Sequence, residues 1–453
     1  MSAEDSELIK LMRQLKESQD DYYNDYIREK ALEKLEKSKD NYLSESDMFY
    51  VGAIDFMVEE INGQKKFFIL ETNGGSSRGL SCITEKQQKI LYTGYWCALE
   101  ESIKKNRRED GKLLILVGVP IDDALLYEKF IYIELFKKKL SAMGYTAKEY
   151  TDFESMQNFP EDVAFLVVDY RKISADISYK DSWVMYRDQK VNLLLGDGIA
   201  RRIRNDKFKQ LIRTDFRKIH TVIANPIYLV TDDKSLTYLA EFYAKEKMEK
   251  YRVKYLKFSK GLDEKDLLQK MDYVVKNYKE NFIIKPNGGS GGAGIIPISS
   301  DEDPANFNEL IEKSKEEFFK KFLKNRDPYP YTIMEMANFS LIDWSGGKHT
   351  FDIRIYLSQQ EGKIVPIGGL TRIARNAYRG TLDKQEFVVN LSGYDGHVEA
   401  DRGLGISPKM RDLLNLSDED FVDMFCIGVV LFKDAVDNYY KIINFNDWSK
   451  IIE

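Results

Sequence analysis

A lysine followed by a glycine-rich loop is the strongest chemical signal in the chain. The segment FIIKPNGGSGGAGI, residues 282–295, places Lys285 at the end of an apolar run and then a loop of mostly small residues. Glycine lets backbone N–H groups crowd around an anion, because no Cβ blocks the approach and positive φ is available. We therefore expect phosphate binding here, although a simple glycine turn between two strands has the same composition. The loop residues concerned are Gly288, Gly289, Ser290, Gly291, Gly292 and Gly294.

Oxygen-bearing side chains gather in a second place, near the start of the chain. Asp55 interrupts the apolar segment FYVGAIDFMV, residues 49–58, and Glu71 and Asn73 close the segment that begins with KFFIL at residue 66. Asn62-Gly63 between the two segments indicates a hairpin turn, which would bring Asp55 and Glu71 to one face. Oxygen ligands of this kind suit Mg²⁺. The alternative is a strand end with a solvated aspartate, but a buried unpaired aspartate would be costly.

Two arginines stand inside apolar, alternating segments of the second half. Arg354 lies in FDIRIYL and Arg372 in PIGGLTRIAR. A cation flanked by isoleucine either faces solvent or points into a charged cleft. With a phosphate-binding loop elsewhere in the chain, we expect both arginines to stabilise a transferring phosphoryl group.

Two further places could contact a nucleotide. The segment YTIMEMA, residues 331–337, is apolar and interrupted by Glu335. It suits a segment that meets an adenine, with backbone groups binding the edge of the ring and Met334 or Met336 packing on its face; a plain core strand has the same pattern. Lys234, in TDDKSLTYL, stands at a predicted helix start, where it either binds a phosphate or is an ordinary surface lysine.

The composition is that of an ordinary globular chain. With 453 residues, 43% hydrophobic and 31% charged, the chain has room for about two to four domains. A net charge of −6 gives no basic excess for nucleic acid or a membrane surface. Three cysteines and three histidines are too few for a disulfide framework or a histidine-rich metal site. Because no leader-like or membrane-spanning apolar run is present, we expect a cytoplasmic protein without nucleic-acid or membrane partners.

The elements around these residues are a mixture of helices and strands. Periodicity predicts helices over residues 4–40, 83–106, 122–143, 235–250 and 262–279. The order strand, helix, strand between residues 112 and 169 predicts a parallel α/β unit. Strands return after residue 281, and the last two are expected at CIGVVLF and YYKIINF, in a weak internal similarity to residues 54–73. The basic cluster at 200–218 is either a solvated helix face or lies beside an anionic group.

Together these features resemble the ATP-grasp superfamily. That family binds ATP between two α+β lobes and turns a carboxylate into an acyl phosphate, which an amine then attacks. Its marks are a nucleotide lysine, a lysine leading a glycine-rich loop, an adenine hinge, later arginines and a D…ExN magnesium set. The matching positions are Lys234, Lys285 with the 288–294 loop, Glu335, Met336 and Ala337, Arg354 and Arg372, and Asp55, Glu71 and Asn73.

The order of the segments resembles circularly permuted members of the family, such as glutathionylspermidine synthetase, because the magnesium set comes first. Gly52 and Ala53 stand where the family has an arginine before the aspartate. In an unpermuted chain, Asn444 and Asn446 would occupy the place of the magnesium set. We favour the permuted order because only the N-terminal set carries both carboxylates.

The resemblance implies a fold of class α+β and α/β, with ATP-grasp lobes and a small parallel α/β domain. The expected division is 1–108 for the N-terminal helix and the strand pair, 109–225 for the α/β domain and 226–453 for the nucleotide-binding lobes.

The implied activity is that of an ATP-dependent carboxylate–amine ligase releasing ADP and phosphate. The resemblance further implies ATP and Mg²⁺, with Mn²⁺ as a substitute, and catalytic roles for Lys285, Arg354 and Arg372. We assign the acid substrate to Ser76, Ser77 and Arg78, beside the metal set. The partners would be small carboxylates and amines, and a homodimer would be unsurprising. The alternatives are a kinase on the same lobes and a non-catalytic nucleotide-binding protein.

Overall fold

The structure is a computed structural model of the chain. It describes residues 13–14, 16–74, 83–119, 126–169, 173–195, 211, 214, 216–287, 289, 291–322, 327–389, 391 and 402–453. The architecture is mixed α and β, with antiparallel and parallel sheets. No helix in these ranges is both long and apolar enough to cross a bilayer.

The elements are numbered in chain order. The helices are α1 (Asp21–Glu36), α2 (Glu85–Lys104), α3 (Leu126–Ala142), α4 (Phe153–Met156), α5 (Tyr228–Asp232), α6 (Lys234–Tyr243), α7 (Lys245–Met248), α8 (Glu264–Asn277), α9 (Phe307–Phe322), α10 (Pro408–Leu413), α11 (Asp418–Asp437) and α12 (Tyr439–Ile443). The strands are β1 (Val51–Ile61), β2 (Gln64–Gly74), β3 (Leu113–Val119), β4 (Ala147–Tyr150), β5 (Val163–Asp169), β6 (Ile177–Lys180), β7 (Trp183–Tyr186), β8 (Gln189–Lys190), β9 (Leu193–Leu195), β10 (Val222–Ala224), β11 (Phe258–Gly261), β12 (Phe282–Pro286), β13 (Ile296–Ile298), β14 (Tyr331–Glu335), β15 (Leu341–Trp344), β16 (Gly347–Gln360), β17 (Lys363–Ile373) and β18 (Gly403–Gly405).

The largest sheet is antiparallel and contains the predicted hairpin. Its order is β18-β17-β16-β1-β2, and β15 pairs with β16 beside this path. Asn62 and Gly63 join β1 to β2 with φ of 52° and 76°, the left-handed conformation that an Asn-Gly turn supplies. α11 packs against β1, β16 and β17, and α2 packs against the same three strands through a separate apolar cluster. The hairpin is therefore confirmed, and the sheet is held between helices.

The second sheet is parallel, in the order β10-β9-β3-β5-β4. β3 is buried along its whole length, as expected of a parallel strand covered on both faces. α2 contacts β9 and β10 as well as the largest sheet, so it joins the two. The predicted parallel α/β unit is confirmed, and a small antiparallel sheet of β6, β7 and β8 is inserted after β5.

The third sheet is antiparallel, in the order β11-β14-β12-β13. Phe282 and Ile284 of β12 pack into an apolar cluster with α8 and α9. Because strand side chains alternate, Ile283 and Lys285 face the opposite side. α6 lies on that side and contacts β11, β14 and also β2 of the largest sheet. α6 therefore connects the two sheets that carry the predicted site residues.

The C-terminal region differs from the prediction of two strands. CIGVVLF lies inside α11, and α12 takes the place of the second strand. α11 begins with a capping box, in which Ser417 and Asp420 satisfy each other's backbone N–H groups. A run that is apolar on every side fits a buried helix as well as a buried strand, and α11 is buried on nearly every side. The internal similarity is therefore wrong, and Asn444 and Asn446 follow a helix instead of ending a strand pair.

Candidate active site

Strand register collects charged side chains on one face of the largest sheet. Glu71 on β2, Asp55 on β1 and Arg354 on β16 are direct neighbours across three adjacent strands. Asp352, two residues before Arg354, faces Arg372 on β17. α2 covers the neighbouring apolar part of the same face. The alternation of side chains along a strand therefore places five charged groups together beyond the end of the helix-covered area.

Asp55 is held by both arginines, and its side chain is only 1% exposed. Arg354 donates from Nε to Oδ1 and from Nη2 to Oδ2, each at 2.7 Å. Arg372 donates from Nη2 to Oδ2 at 2.9 Å. Burial by itself raises the pKa of Asp55, but the two guanidinium groups outweigh it and hold the pKa well below its usual range. Asp55 is therefore ionised, and both of its oxygens accept hydrogen bonds.

A second buried carboxylate, that of Asp352, holds Arg372. Arg372 donates from Nε to Oδ1 at 2.8 Å and from Nη2 to Oδ2. Burial raises the pKa of Asp352 to about 6, although the attraction of Arg372 opposes the rise. Within the described residues, the Nη1 groups of Arg354 and Arg372 donate to no acceptor. Each arginine thus has one edge fixed by carboxylates and one amino group without an acceptor in the described residues.

Glu71 links this face to α6. Its Oε2 lies 3.1 Å from Nζ of Lys234, the first residue of α6. Its Oε1 lies 3.7 Å from Nη2 of Arg354 and 3.5 Å from Nδ2 of Asn73. Burial raises the pKa of Glu71, but the charges of Lys234, Arg354 and Lys285 together outweigh it and lower the pKa overall. The predicted lysine at the helix start and the predicted acidic pair are therefore brought together.

Lys285 enters from the third sheet and lies against α6. Its Nζ is 3.4 Å from the hydroxyl of Tyr238, whose own hydroxyl donates to the carbonyl of Leu70 on β2 at 2.5 Å. Desolvation lowers the pKa of Lys285 to about 8, and the nearby Glu71 carboxylate limits the fall. Lys285 and Glu71, which are 214 positions apart in the sequence, thus act on each other electrostatically. A partly buried lysine whose pKa is lowered toward neutral pH is typical of a functional site.

Hydroxyl contacts of α6 fix the two sheets relative to each other. Oγ of Ser235 lies 2.6 Å from Oγ1 of Thr332, the β14 residue opposite Lys285. Oγ1 of Thr237 lies 2.9 Å from Oγ1 of Thr72, between Glu71 and Asn73 on β2. Both contacts are buried. The spacing between the lysines and the acidic pair is therefore set by packed elements and not by loops.

The glycine-rich loop follows β12 and is anchored on α9. Gly291, Gly292 and Gly294 have φ of 62°, 75° and 77°, which explains why glycine stands at these positions. A Cβ at Gly294 would lie 2.7 Å from Cγ of Pro286. The Gly294 carbonyl accepts a hydrogen bond from Oγ of Ser314 at 2.5 Å. Gly289 is also described, whereas Gly288 and Ser290 lie outside the described residues.

In the segment predicted as an adenine hinge, most of the polar groups already make contacts within the protein. The carboxylate of Glu335 pairs with Lys257 at 3.0 Å. The N–H groups of Glu335 and Met336 donate to the carbonyls of Lys257 and Asn281, both at 2.8 Å. Ala337 is 6% exposed, and its N–H has no acceptor within the described part of the chain. Of the three residues, Ala337 is therefore the one whose backbone can still bind a ring nitrogen.

Glu71 and Asn73 are the residues that best fit Mg²⁺. The Glu71 side chain is 34% exposed at the end of β2, with Asn73 beside it. Asp55 stands in the same row, but it would have to release a guanidinium to coordinate a cation. No group of three or more His, Cys, Asp or Glu side chains in the described ranges is arranged to hold a metal ion. Mg²⁺ commonly uses one or two carboxylates together with substrate phosphates, and this donor set fits that mode.

Two site residues were missed by the sequence interpretation, and one predicted group falls outside the structure. Asp352 was readable in FDIR, because residues two apart in a strand share a face. Tyr238 was visible only as part of a helix, four residues after Lys234. Ser76, Ser77 and Arg78 lie outside the described residues, as does most of the basic cluster at 200–218.

Comparison with protein-family models and with curated proteins gave no match. Among solved structures, the chain is similar to a glutathione synthetase-like effector from Globodera pallida, at 11% identity and a TM-score of 0.34, over 81% of this chain and 82% of that one. It is also similar to D-alanyl-alanine synthetase A from Vibrio cholerae, at 7% identity and a TM-score of 0.24, over 70% and 99% of the two chains. These similarities are weak, so the chemistry of the site is derived from its own residues.

Proposed function

We propose that the protein is an ATP-dependent ligase that joins a carboxylate to an amine through an acyl phosphate. The observation that carries the proposal is the convergence of two lysines, two arginines and Glu71 between two sheets that α6 connects. The four cations meet three carboxylates, those of Asp55, Asp352 and Glu71, and the excess of positive charge suits a polyanion such as a nucleoside triphosphate. The glycine loop after β12 would add the backbone N–H groups of Gly291 and Gly292, since those of Gly289 and Gly294 already donate to the Pro286 carbonyl and the Glu317 carboxylate.

The nucleotide would lie between the glycine loop and α6. Lys234 and Lys285 would bind its phosphate oxygens, each as a point charge. The buried N–H of Ala337 offers a donor for a ring nitrogen of the base. This placement directs the terminal phosphate toward the charged face of the largest sheet, where the arginines stand.

Phosphoryl transfer would take place against the two arginines. An oxygen of the acid attacks the terminal phosphorus, the bond to the bridging oxygen breaks, and ADP leaves. The amine nitrogen then attacks the acyl carbon, phosphate leaves, and the nitrogen gives up a proton as the amide forms. The Nη1 groups of Arg354 and Arg372 would donate to the oxygens that gain charge during the transfer. Because buried carboxylates already hold both guanidinium groups, little reorganisation is needed when that charge develops.

Glu71 and Asn73 would hold Mg²⁺, with Asp55 as a third ligand only after it exchanges a hydrogen bond with an arginine. A bound Mg²⁺ supplies charge neutralisation between neighbouring phosphates. The protein's own contribution is to keep Glu71 at the end of β2, beside Lys234.

A screen of ADP release tests the proposal. We expect ADP to appear only when ATP, Mg²⁺, a carboxylic acid and an amine are all present, and the product mass to equal acid plus amine minus water. Amino acids, peptides and polyamines form the panel, and mass spectrometry identifies the product. Continuous ADP release with an acid alone and a stable phosphorylated product would favour a kinase. Nucleotide binding without turnover on the whole panel would favour a binding protein.

Nucleotide affinity is expected to depend on pH through Lys285. Its pKa of about 8 means that it is partly neutral above that pH, while a bound polyphosphate favours the charged form. Binding should therefore take up a proton, and affinity should fall as pH rises through about 8 to 9. The groups that set this pKa besides burial are Glu71, Lys234 and Asp55. Calorimetry of ATP binding in two buffers of different ionisation enthalpy measures the proton uptake, and none at pH 8.5 would contradict the assignment.

A further inference from the structure

We propose that Asp352 is a positioning residue, which orients Arg372 for phosphoryl transfer; this inference rests on the proposed ligase function. Asp352 is buried on β16, opposite Arg372. It does not reach a substrate itself, because it is only 2% exposed and its oxygens face Arg372. Its effect on the reaction would therefore pass through the guanidinium that it holds.

The two arginines depend on their carboxylates in different ways. Among the described residues, Arg354 donates its side-chain hydrogen bonds to Asp55, in two parallel bonds of 2.7 Å, and Glu71 lies 3.7 Å away. Arg372 makes two hydrogen bonds to Asp352 but only one, at 2.9 Å, to Asp55. That one shares Oδ2 of Asp55 with Arg354. Without Asp352, Arg372 would retain a single contact, about which its guanidinium could turn. Asp352 therefore fixes the plane of Arg372.

Because the charges on this face nearly cancel, the orientation of the two arginines matters more than their net attraction for an anion. Asp55 and Asp352 together balance the charge of Arg354 and Arg372, so the four side chains add little net charge to the site. The arginines would then act as directed donors, through Nη1 groups that have no acceptor in the described residues. Directed donors act mainly on the transition state. Loss of Asp352 should therefore lower kcat more than it weakens nucleotide binding.

A double-mutant cycle on Asp352 and Arg372 tests this inference. Asp352→Asn replaces one acceptor oxygen with an amide donor that faces a guanidinium. We expect kcat for ADP release to fall about 10- to 100-fold, as when a charged hydrogen bond is lost. The KM for ATP should stay within about twofold, as for an interaction made only in the transition state. In the Arg372→Ala background, Asp352→Asn should cause no further loss of kcat. Independent, multiplicative losses would overturn the inference.

The matched control is Thr371→Val. Oγ1 of Thr371 donates to the backbone carbonyl of Asp352 at 2.7 Å and is equally buried, so its loss disturbs the same place without touching the carboxylate. We expect Thr371→Val to keep the wild-type kcat. If Asp352→Asn fails to fold by circular dichroism, Asp352→Glu retains the charge but shifts the oxygens by one methylene, and it should also lower kcat. If Asp352→Glu kept the wild-type kcat although Arg372 was no longer held by the carboxylate, the inference would be overturned.

A labelling experiment separates this inference from the ligase proposal. Phenylglyoxal modifies arginine, and mass spectrometry reports Arg354 and Arg372 separately. In Asp352→Asn, we expect Arg372 to react faster by about tenfold or more, the effect of losing charged hydrogen bonds, while Arg354 keeps the wild-type rate. Equal rates at Arg372 in wild type and variant would overturn the positioning role, even if the enzyme is a ligase. Faster labelling of Arg372 with no turnover on any substrate would leave the contact standing and reject the ligase function.

Discussion

Replacing Lys285 with alanine is expected to lower the rate of ADP formation by about 10²- to 10³-fold, the range found when a preorganised donor to developing charge is removed. Lys285 combines a partly buried position on β12 with a pKa lowered to about 8. A cation desolvated in this way interacts strongly with an incoming phosphate, because little water screens it. The loss should appear in ATP affinity as well as turnover, since Lys285 would contact the nucleotide before and during transfer.

Lys270→Ala is the matched control for Lys285→Ala. Lys270 is more enclosed than Lys285, at 6% exposure, and its charge pairs with Asp266 on the same helix. It lies on α8, which packs against the opposite face of the third sheet. Lys270→Ala should retain ADP formation, and both variants should keep the wild-type circular dichroism spectrum. A folded Lys285→Ala protein with full turnover would refute the role of Lys285.

The residues of the site were readable from the sequence wherever charge interrupted an apolar strand. Asp55, Lys285, Arg354 and Arg372 each stand in such a strand, and burial of a charge demands a partner. The hairpin turn at residues 62–63 sets the register as far as Phe56 and Ile69, and a β-bulge between Asp55 and Phe56 then shifts the pairing by one residue, which makes Asp55 and Glu71 neighbours. Local signals were sufficient for the turn and for the charged strand positions, but the bulge that aligns Asp55 with Glu71 had no signal in the sequence, and without it the two side chains would lie on opposite faces.

The partners of those charges were not readable. The sequence indicated Asp55 as a metal ligand, and nothing in the chain near it indicates that Arg354 and Arg372, about 300 positions away, fill both of its oxygens. Likewise, the run CIGVVLF is apolar on all sides, so its period could not distinguish the buried helix α11 from a buried strand. Contacts between side chains on distant strands of one sheet depend on the order of the strands, which a single sequence does not specify.

Replacing Glu71 with glutamine is expected to change metal-dependent and metal-free nucleotide binding in opposite directions. In the structure Glu71 neutralises Lys234 at 3.1 Å, so a triphosphate alone must compete with a carboxylate for that lysine and also meets its negative charge. Glutamine removes the competition, and Mg²⁺-free ATP should bind about tenfold more tightly, a change typical of releasing one charged pair. The same substitution removes the charged oxygen suited to Mg²⁺, so the gain in affinity on adding Mg²⁺ should be lost, together with turnover.

Damage to the fold would weaken ATP binding both with and without Mg²⁺, so changes in opposite directions distinguish this prediction from a folding defect. Glu59→Gln is the matched control, because Glu59 lies on β1 of the same hairpin but pairs with Lys254, at 2.8 Å, and not with a residue of the charged face. Titrating ATP with and without Mg²⁺ should give wild-type behaviour for Glu59→Gln. If Glu71→Gln weakened Mg²⁺-free binding, Glu71 would be supporting Lys234 instead of competing for it, and the ion pair between β2 and α6 would be structural. If Mg²⁺-free binding strengthened but the gain in affinity on adding Mg²⁺ were retained, Glu71 would compete for Lys234 without serving as a metal ligand.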